Sequence, residues 1–172
     1  MLGNVHRVSG EDGARRHRVS RAGAIGGSLL AWFALFFALP VTIGSRGNRA
    51  GWRDGHSGWW NRLGLVSVGA GTAGLLWCMV AHYRPGATVE VSLTPEFLIG
   101  EGPYKFSRNP MYVCEQAIWE GWAIYFGSPG LLASGAVLGG AMRYAVGREE
   151  KTLRSQFGNS WVEYANRVRR WL

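Results

Sequence analysis

The hydrophobic positions of this chain are gathered into long uncharged runs rather than spread with a regular amphipathic period. Ala22 to Ser45 contains no charged residue, and Leu63 to Tyr83 is likewise free of Asp, Glu, Lys and Arg. Each run matches the roughly 20 helical residues that cross a hydrocarbon core. A third apolar stretch, Met111 to Gly147, is too long for one crossing and is interrupted by Ser128-Pro129-Gly130, residue types that favour a turn. It predicts two further helices, about Met111–Gly127 and Gly130–Gly147. A last, charged helix is expected over Arg148–Arg167, lying along one membrane face. The expected fold is all-α: a polytopic membrane helix bundle of about four transmembrane helices with a cytoplasmic C-terminal amphipathic helix.

Charge then orients the bundle. The chain carries 19 Lys and Arg against 11 Asp and Glu. With four spans and the N-terminus inside, 15 of the basic residues fall on the cytoplasmic side and 4 outside, as the positive-inside bias requires. Contact with anionic headgroups then accounts for the basic balance, and no nucleic-acid partner is expected. The mean hydropathy of −0.03 conceals the spans, because arginine-rich tails and loops dilute them. Residues 1–21 read as a basic cytoplasmic tail, and the apolar run behind them is too long for a signal-peptide core, so it is expected to be an uncleaved anchor. Residues 22–172 read as one integral-membrane domain.

Composition adds two points. Cys78 and Cys114 both lie in apolar segments and form neither a metal motif nor a disulfide framework; both are read as small buried hydrophobes. Glycine, 26 of 172 residues, is about twice as frequent as usual. Much of it falls inside the spans, where Gly23/Gly27, Gly135/Gly139 and Gly69-Ala70-Gly71 with Gly74 would let helices approach closely. Gly69 and Gly71 also suit the approach of a cofactor edge.

Candidate chemistry sits in two motifs separated by the last hydrophobic hairpin. The first is Gly102-Pro103-Tyr104 leading into Ser107-Arg108-Asn109-Pro110-Met111-Tyr112. The second is Glu149-Glu150 followed by Leu153, Phe157-Gly158, Trp161, Tyr164 and Arg167-Val168-Arg169-Arg170-Trp171. A hairpin with arms of similar length brings its two ends to one membrane face, so the motifs are expected to meet. Glu115 and Glu120 lie within the third apolar segment, where an ionisable side chain is expensive and is a functional candidate by default.

Asn109-Pro110-Met111-Tyr112, Gly121-Trp122-Ala123-Ile124, Ser128-Pro129-Gly130-Leu131-Leu132 and Glu149-Glu150 together resemble the C-terminal half of the phospholipid N-methyltransferases and isoprenylcysteine carboxyl methyltransferases. These form one superfamily of small integral-membrane methyltransferases. The resemblance covers roughly Pro85 to Trp171. It implies S-adenosylmethionine as cofactor, a lipid bilayer and a lipophilic or lipid acceptor as partners, and a site at the cytoplasmic face. The chain has Asn109 where His is common, Cys114 where Gly is often found, Trp161 for a frequent Tyr, and Arg169 for a frequent Pro. Membrane sterol reductases, which bind a nicotinamide cofactor, share a related C-terminal layout, and a non-enzymatic membrane scaffold is the other alternative.

S-adenosylmethionine carries a sulfonium, an ammonium, a carboxylate, ribose hydroxyls and an adenine ring. Tyr104, Asn109, Pro110, Tyr112, Glu149, Glu150 and Tyr164 are the candidate cofactor-binding residues, and Arg108, Glu115 and Glu120 the candidate catalytic ones; no metal ligand set is present. Adjacent helical residues diverge by about 100°, so only one of Glu149 and Glu150 is expected to face the ligand. Glu150, seven residues from Arg143, is the favoured member. The member that does not face the ligand would pair with a base, for which Arg154, four residues after Glu150, has the right spacing. A carboxylate acceptor needs no base, and Arg108 would orient it; an amine acceptor needs one, and Glu115 or Glu120 would serve. The residues offer both chemistries.

Overall fold

The computed structural model describes residues 27–82 and 98–172 of the chain. Four helices account for most of them: α1 (Gly27–Arg46, with a π-helical turn at Ala34–Ala38), α2 (Trp59–His82), α3 (Pro110–Phe126) and α4 (Pro129–Arg167). A two-residue hairpin, β1 (Trp52–Arg53) with β2 (His56–Ser57), joins α1 to α2, and a 3-10 turn at Gly102–Lys105 precedes α3. The chain divides into two compact units, Met1–Leu39 and Pro40–Leu172. Both sequence motifs lie in the second. The basic tail, Gly23, and Pro85 at the start of the family resemblance lie outside the described residues.

Two helices, Gly27–Arg46 and Trp59–Ala81, are long and apolar enough to cross a membrane. These coincide with the first two expected spans. α3 has 17 residues. It starts on Pro110, whose missing N–H costs nothing in a first turn, and ends on Gly127, which takes the left-handed conformation (φ 58°) with its N–H on the carbonyls of Ala123 and Ile124. Ser128 then caps α4 by accepting from the Leu131 N–H. The Ser128-Pro129-Gly130 turn therefore lies where the sequence puts it.

The boundary expected at Arg148 is absent. α4 runs unbroken through it, because Val146 and Glu150 continue the buried face of Leu131, Gly135 and Met142 and give the chain no reason to turn. The departure comes at Gly158, whose φ of 53° and ψ of −124° are not helical and suit a residue without a Cβ.

α2 and α3 form the most extensive helix pair, and glycine explains it. A Cβ on Gly71 would lie 2.7 Å from the Cys114 carbonyl oxygen, and one on Gly121 would lie 2.7 Å from that of Gly64. Gly71 is thus filled by α3 and not by a cofactor edge, whereas Gly69 faces open space. Cys78 is fully buried in this interface, as expected of a small hydrophobe, and Cys114 is half-buried. The far end of the pair is tied by Asn61, whose Nδ2 donates to the carbonyls of Ala50 (3.0 Å), Ile124 (3.1 Å) and Tyr125 (2.9 Å). Gly135 and Gly139 play a different part from the expected close approach of backbones. The space beside them is taken by the side chains of Glu120 and Gln116.

Candidate active site

The first motif forms a short polar loop that holds the segment after α4. Ser107 Oγ accepts from the Asn109 N–H (3.1 Å) and donates to the Arg170 carbonyl (3.3 Å). Asn109 Nδ2 donates to the same carbonyl (3.1 Å), and the Arg108 N–H donates to the Arg169 carbonyl (2.8 Å). These groups are buried and would cost free energy if left unpaired. They fix the chain at 168–170 beside the start of α3.

Glu150 sits at the centre of this junction and is 5% exposed. Its Oε1 accepts from Arg108 Nε at 2.9 Å and forms an ion pair with Arg108 Nη2 at 2.9 Å, and its Oε2 accepts from Arg170 Nη2. Arg108 also donates through Nη1 to the carbonyls of Ala165 (2.9 Å) and Val168 (2.7 Å), and stands 5.7 Å from the centre of the Trp161 ring. Burial by itself would raise the Glu150 carboxyl, but the hydrogen bonds and positive charges of Arg170 and Arg108 outweigh it and hold the group below the usual carboxylate range. Tyr164, also buried, donates to the Tyr104 carbonyl (2.9 Å). Burial pushes its phenol up to about 12, against the lowering effect of Arg108 and with a small rise from Glu150. Burial raises the Tyr104 phenol as well. Both phenols stay protonated at neutral pH.

Beside the junction, an open cleft of about 670 Å³ lies between α3 and α4, within the range of small-molecule sites. Tyr112, Gln116 and Glu120, spaced four residues apart on one face of α3, form its polar wall; Gly139 and Arg143 face them from α4, and Trp171 closes one end. Tyr112 Oη donates to Glu149 Oε2 at 3.4 Å. Gln116 Nε2 donates to Glu120 Oε1 (2.6 Å) and to the Gly135 carbonyl (3.0 Å). The Arg143 guanidinium lies 5.8 Å from the centre of the Trp171 ring. A polar track therefore leads from the second motif down into an apolar groove.

The two motifs meet, as the hairpin predicts, but they divide the work. Arg108, Asn109 and Glu150 bond one another or the tail, and Tyr164 bonds the backbone carbonyl of Tyr104. Pro110 is buried at the first turn of α3. Tyr112 and Glu120 line the cleft, and exposed Glu149 adjoins it through Tyr112. Glu115 is half-buried and is not part of the cleft wall. The preference for Glu150 as the ligand-facing carboxylate meets a physical obstacle: both its oxygens are taken by arginines. Arg154, four residues after Glu150, is not its partner; Arg108 and Arg170 are. Sequence reasoning passed over Gln116, for which the four-residue steps Tyr112, Gln116, Glu120 carry the signal; Arg170 and Trp171 stand in the second motif but were given no role there, because their partners are set by the fold.

No curated protein and no solved structure matches this chain. Residues 60–160, from the start of α2 to just past the kink in α4, match the family model for phospholipid methyltransferase, so the chain belongs to that family of membrane methyltransferases.

Proposed function

We propose that this protein transfers a methyl group from S-adenosylmethionine to a lipophilic acceptor, the carboxylate of a prenylcysteine-like molecule or the amine of a phospholipid, at the cytoplasmic face of a membrane. The observation that carries the reading is the junction itself: Arg108 of the first motif on Glu150 of the second at 2.9 Å, beside a cleft that Tyr112 lines. In this reading the N-terminus is inside, α3 and the first half of α4 are the third and fourth spans, and the segment beyond Gly158 lies at the cytoplasmic surface, consistent with the distribution of basic residues.

The residues present suit the donor. S-adenosylmethionine supplies, when bound, a methyl group made electrophilic by the sulfonium. Glu149 and Tyr112 offer acceptors for its ammonium and hydroxyls, Arg143 a cation for its carboxylate, and the Trp171 indole a flat apolar surface. With Glu150 engaged by arginines, Glu149 becomes the member of the pair that faces the ligand. Arg108, Asn109, Tyr164 and Glu150 act behind it by fixing the tail that carries Trp171. Holding the two reactants in line within the cleft supplies much of the rate.

Thermal unfolding of the purified protein with S-adenosylmethionine and with NADPH, in separate samples, tests this. Stabilisation by S-adenosylmethionine alone is the expected result. Stabilisation by NADPH alone would move the chain to the reductase type, and none by either would favour a scaffold.

A further inference from the structure

The loop between α1 and α2 is held as a cap on the far end of α3, away from the joined motifs. Its hairpin turns on Asp54 and Gly55, both with positive φ (50° and 78°), the pairing that suits a two-residue turn. The Ala50 N–H donates to the Gly127 carbonyl (3.1 Å), Trp52 Nε1 donates to the Tyr125 carbonyl (2.9 Å), and Asn61 Nδ2 reaches carbonyls of both Ala50 and Tyr125. The Trp52 ring also lies nearly parallel to that of Phe126, at 8° with centres 6.3 Å apart.

What the cap displays is positive charge. Residues 46–62 hold Arg46, Arg49, Arg53 and Arg62 against one carboxylate, Asp54. None of the four arginines makes an ion pair among the described residues, and Arg46, Arg53 and Arg62 are exposed. Arg49 is set in place: its guanidinium lies 4.8 Å from the centre of the Trp52 ring and 5.7 Å from that of Phe126, and Nη2 donates to the Ser45 carbonyl. A guanidinium held in this way keeps N–H groups on its planar fork to spare, the geometry that fits a phosphate. The excess of basic residues toward the other face orients the bundle but does not account for four arginines gathered here.

α2 sets the depth of the cap. Its 24 residues rise about 36 Å, against a hydrocarbon core of about 30 Å. In a crossing helix of that length Trp59 and Trp60 fall at the headgroup boundary, and the hairpin lies beyond it. Both indoles are exposed, at 62% and 64%, and stacked with centres 3.6 Å apart, the placement expected of Trp at a membrane–water interface. Arg62, less than one turn further in, can return its charged end to the same level along its aliphatic stem.

We infer that this cap is a docking surface for the headgroups of anionic phospholipids in the leaflet at that end of the bundle, with the arginines on the phosphates and the paired indoles between headgroups and acyl chains. A zwitterionic headgroup sets its own cation beside the phosphate and cancels much of the attraction; an anionic one does not. A free phosphate ion lacks the acyl chains that Trp59 and Trp60 meet. The inference concerns the end opposite the proposed cofactor site and stands independently of methyl transfer.

Hydrogen exchange of the full-length protein in nanodiscs tests this, with phosphatidylcholine alone, with phosphatidylcholine and phosphatidylglycerol mixed, and with phosphatidylcholine plus sodium phosphate in the buffer. In wild type the backbone amides of residues 50–58 should exchange more slowly by roughly fivefold or more when phosphatidylglycerol is present, and free phosphate should leave them unchanged. Arg46→Gln/Arg53→Gln/Arg62→Gln, which keeps the Arg49–Trp52 contact, should lose most of that slowing. It should match wild type in phosphatidylcholine alone and throughout α2 and α3, which reports that it is folded. Equal exchange in the two lipid compositions, slowing retained in full by the variant, or the same slowing from free phosphate would overturn the inference.

Discussion

At the scale of single residues, the adjacent carboxylates Glu149 and Glu150 have opposite surroundings. Glu150 continues the buried face of α4 and is held by two guanidinium groups; Glu149, turned about 100° away, is exposed beside Tyr112. Glu150→Ala leaves Arg108 buried without its anion, a loss of about 3–5 kcal/mol for a broken buried pair. The thermal midpoint should fall by roughly 6–20 °C. Glu149→Gln should leave that midpoint nearly unchanged and weaken S-adenosylmethionine binding instead. A fall of similar size in both variants would show that the two carboxylates share one role. Tyr164→Phe removes the hydroxyl that donates to the Tyr104 carbonyl and should cost about 0.5–1.5 kcal/mol of stability, read from denaturant unfolding.

The Glu150 clamp also predicts a pH dependence. Its folded carboxyl is held below the ordinary value, so the unfolded chain binds a proton first as pH drops. The stabilisation is therefore complete above the ordinary carboxyl value of about 4.5, declines below it, and is gone once pH passes the folded value. Thermal midpoints measured from pH 7 to pH 3 should show an acid-side decline in wild type that is shallower in Glu150→Gln. Identical slopes would mean that Glu150 is not paired in the native state.

At the scale of elements, the departure of the chain from α4 at Gly158 leads into the segment that carries Tyr164 back to Tyr104 and the 168–170 segment back to Ser107 and Asn109. A side chain at φ 53°, ψ −124° is strained by about 1–3 kcal/mol. Gly158→Ala should therefore loosen the tail. Its effect should appear as faster proteolysis after Arg167, Arg169 or Arg170, with α2 and α3 unaffected in hydrogen exchange. Protection of the tail equal to wild type would show that the kink does not govern it.

How much of this was legible depends on what each residue's role is set by. The spans at Ala22–Ser45 and Leu63–Tyr83 and the turn at Ser128 follow from local composition and turn chemistry, and all three have counterparts in the structure. The meeting of the motifs follows from hairpin geometry. The continuity of α4 past Arg148 does not, because it depends on Val146 and Glu150 finding a surface on the rest of the fold. Nor do the tasks of Arg108 and Asn109, which are set by carbonyls some 60 residues away in sequence. Gln116 is a step in the Tyr112–Glu120 series, but a neutral residue in an apolar helix carries no charge signal of its own.

At the scale of the whole molecule, membership of the phospholipid methyltransferase family and the joined motifs point to one cofactor site at the open end of the α3–α4 hairpin. In the proposed topology that site lies at the cytoplasmic surface and the cleft runs into the membrane. Labelling of cysteines introduced at positions 10, 129 and 170 in intact cells should reach position 129 alone from outside. Labelling of position 10 from outside would invert the arrangement.

The most direct measurement is isothermal titration of S-adenosylmethionine into purified wild-type protein and Glu149→Gln. Saturable binding to wild type is expected, weakened roughly tenfold to a hundredfold in the variant through loss of a charge-assisted hydrogen bond of about 1.5–3 kcal/mol. No binding to wild type, or equal affinity in the two proteins, would contradict a cofactor site built on the joined motifs.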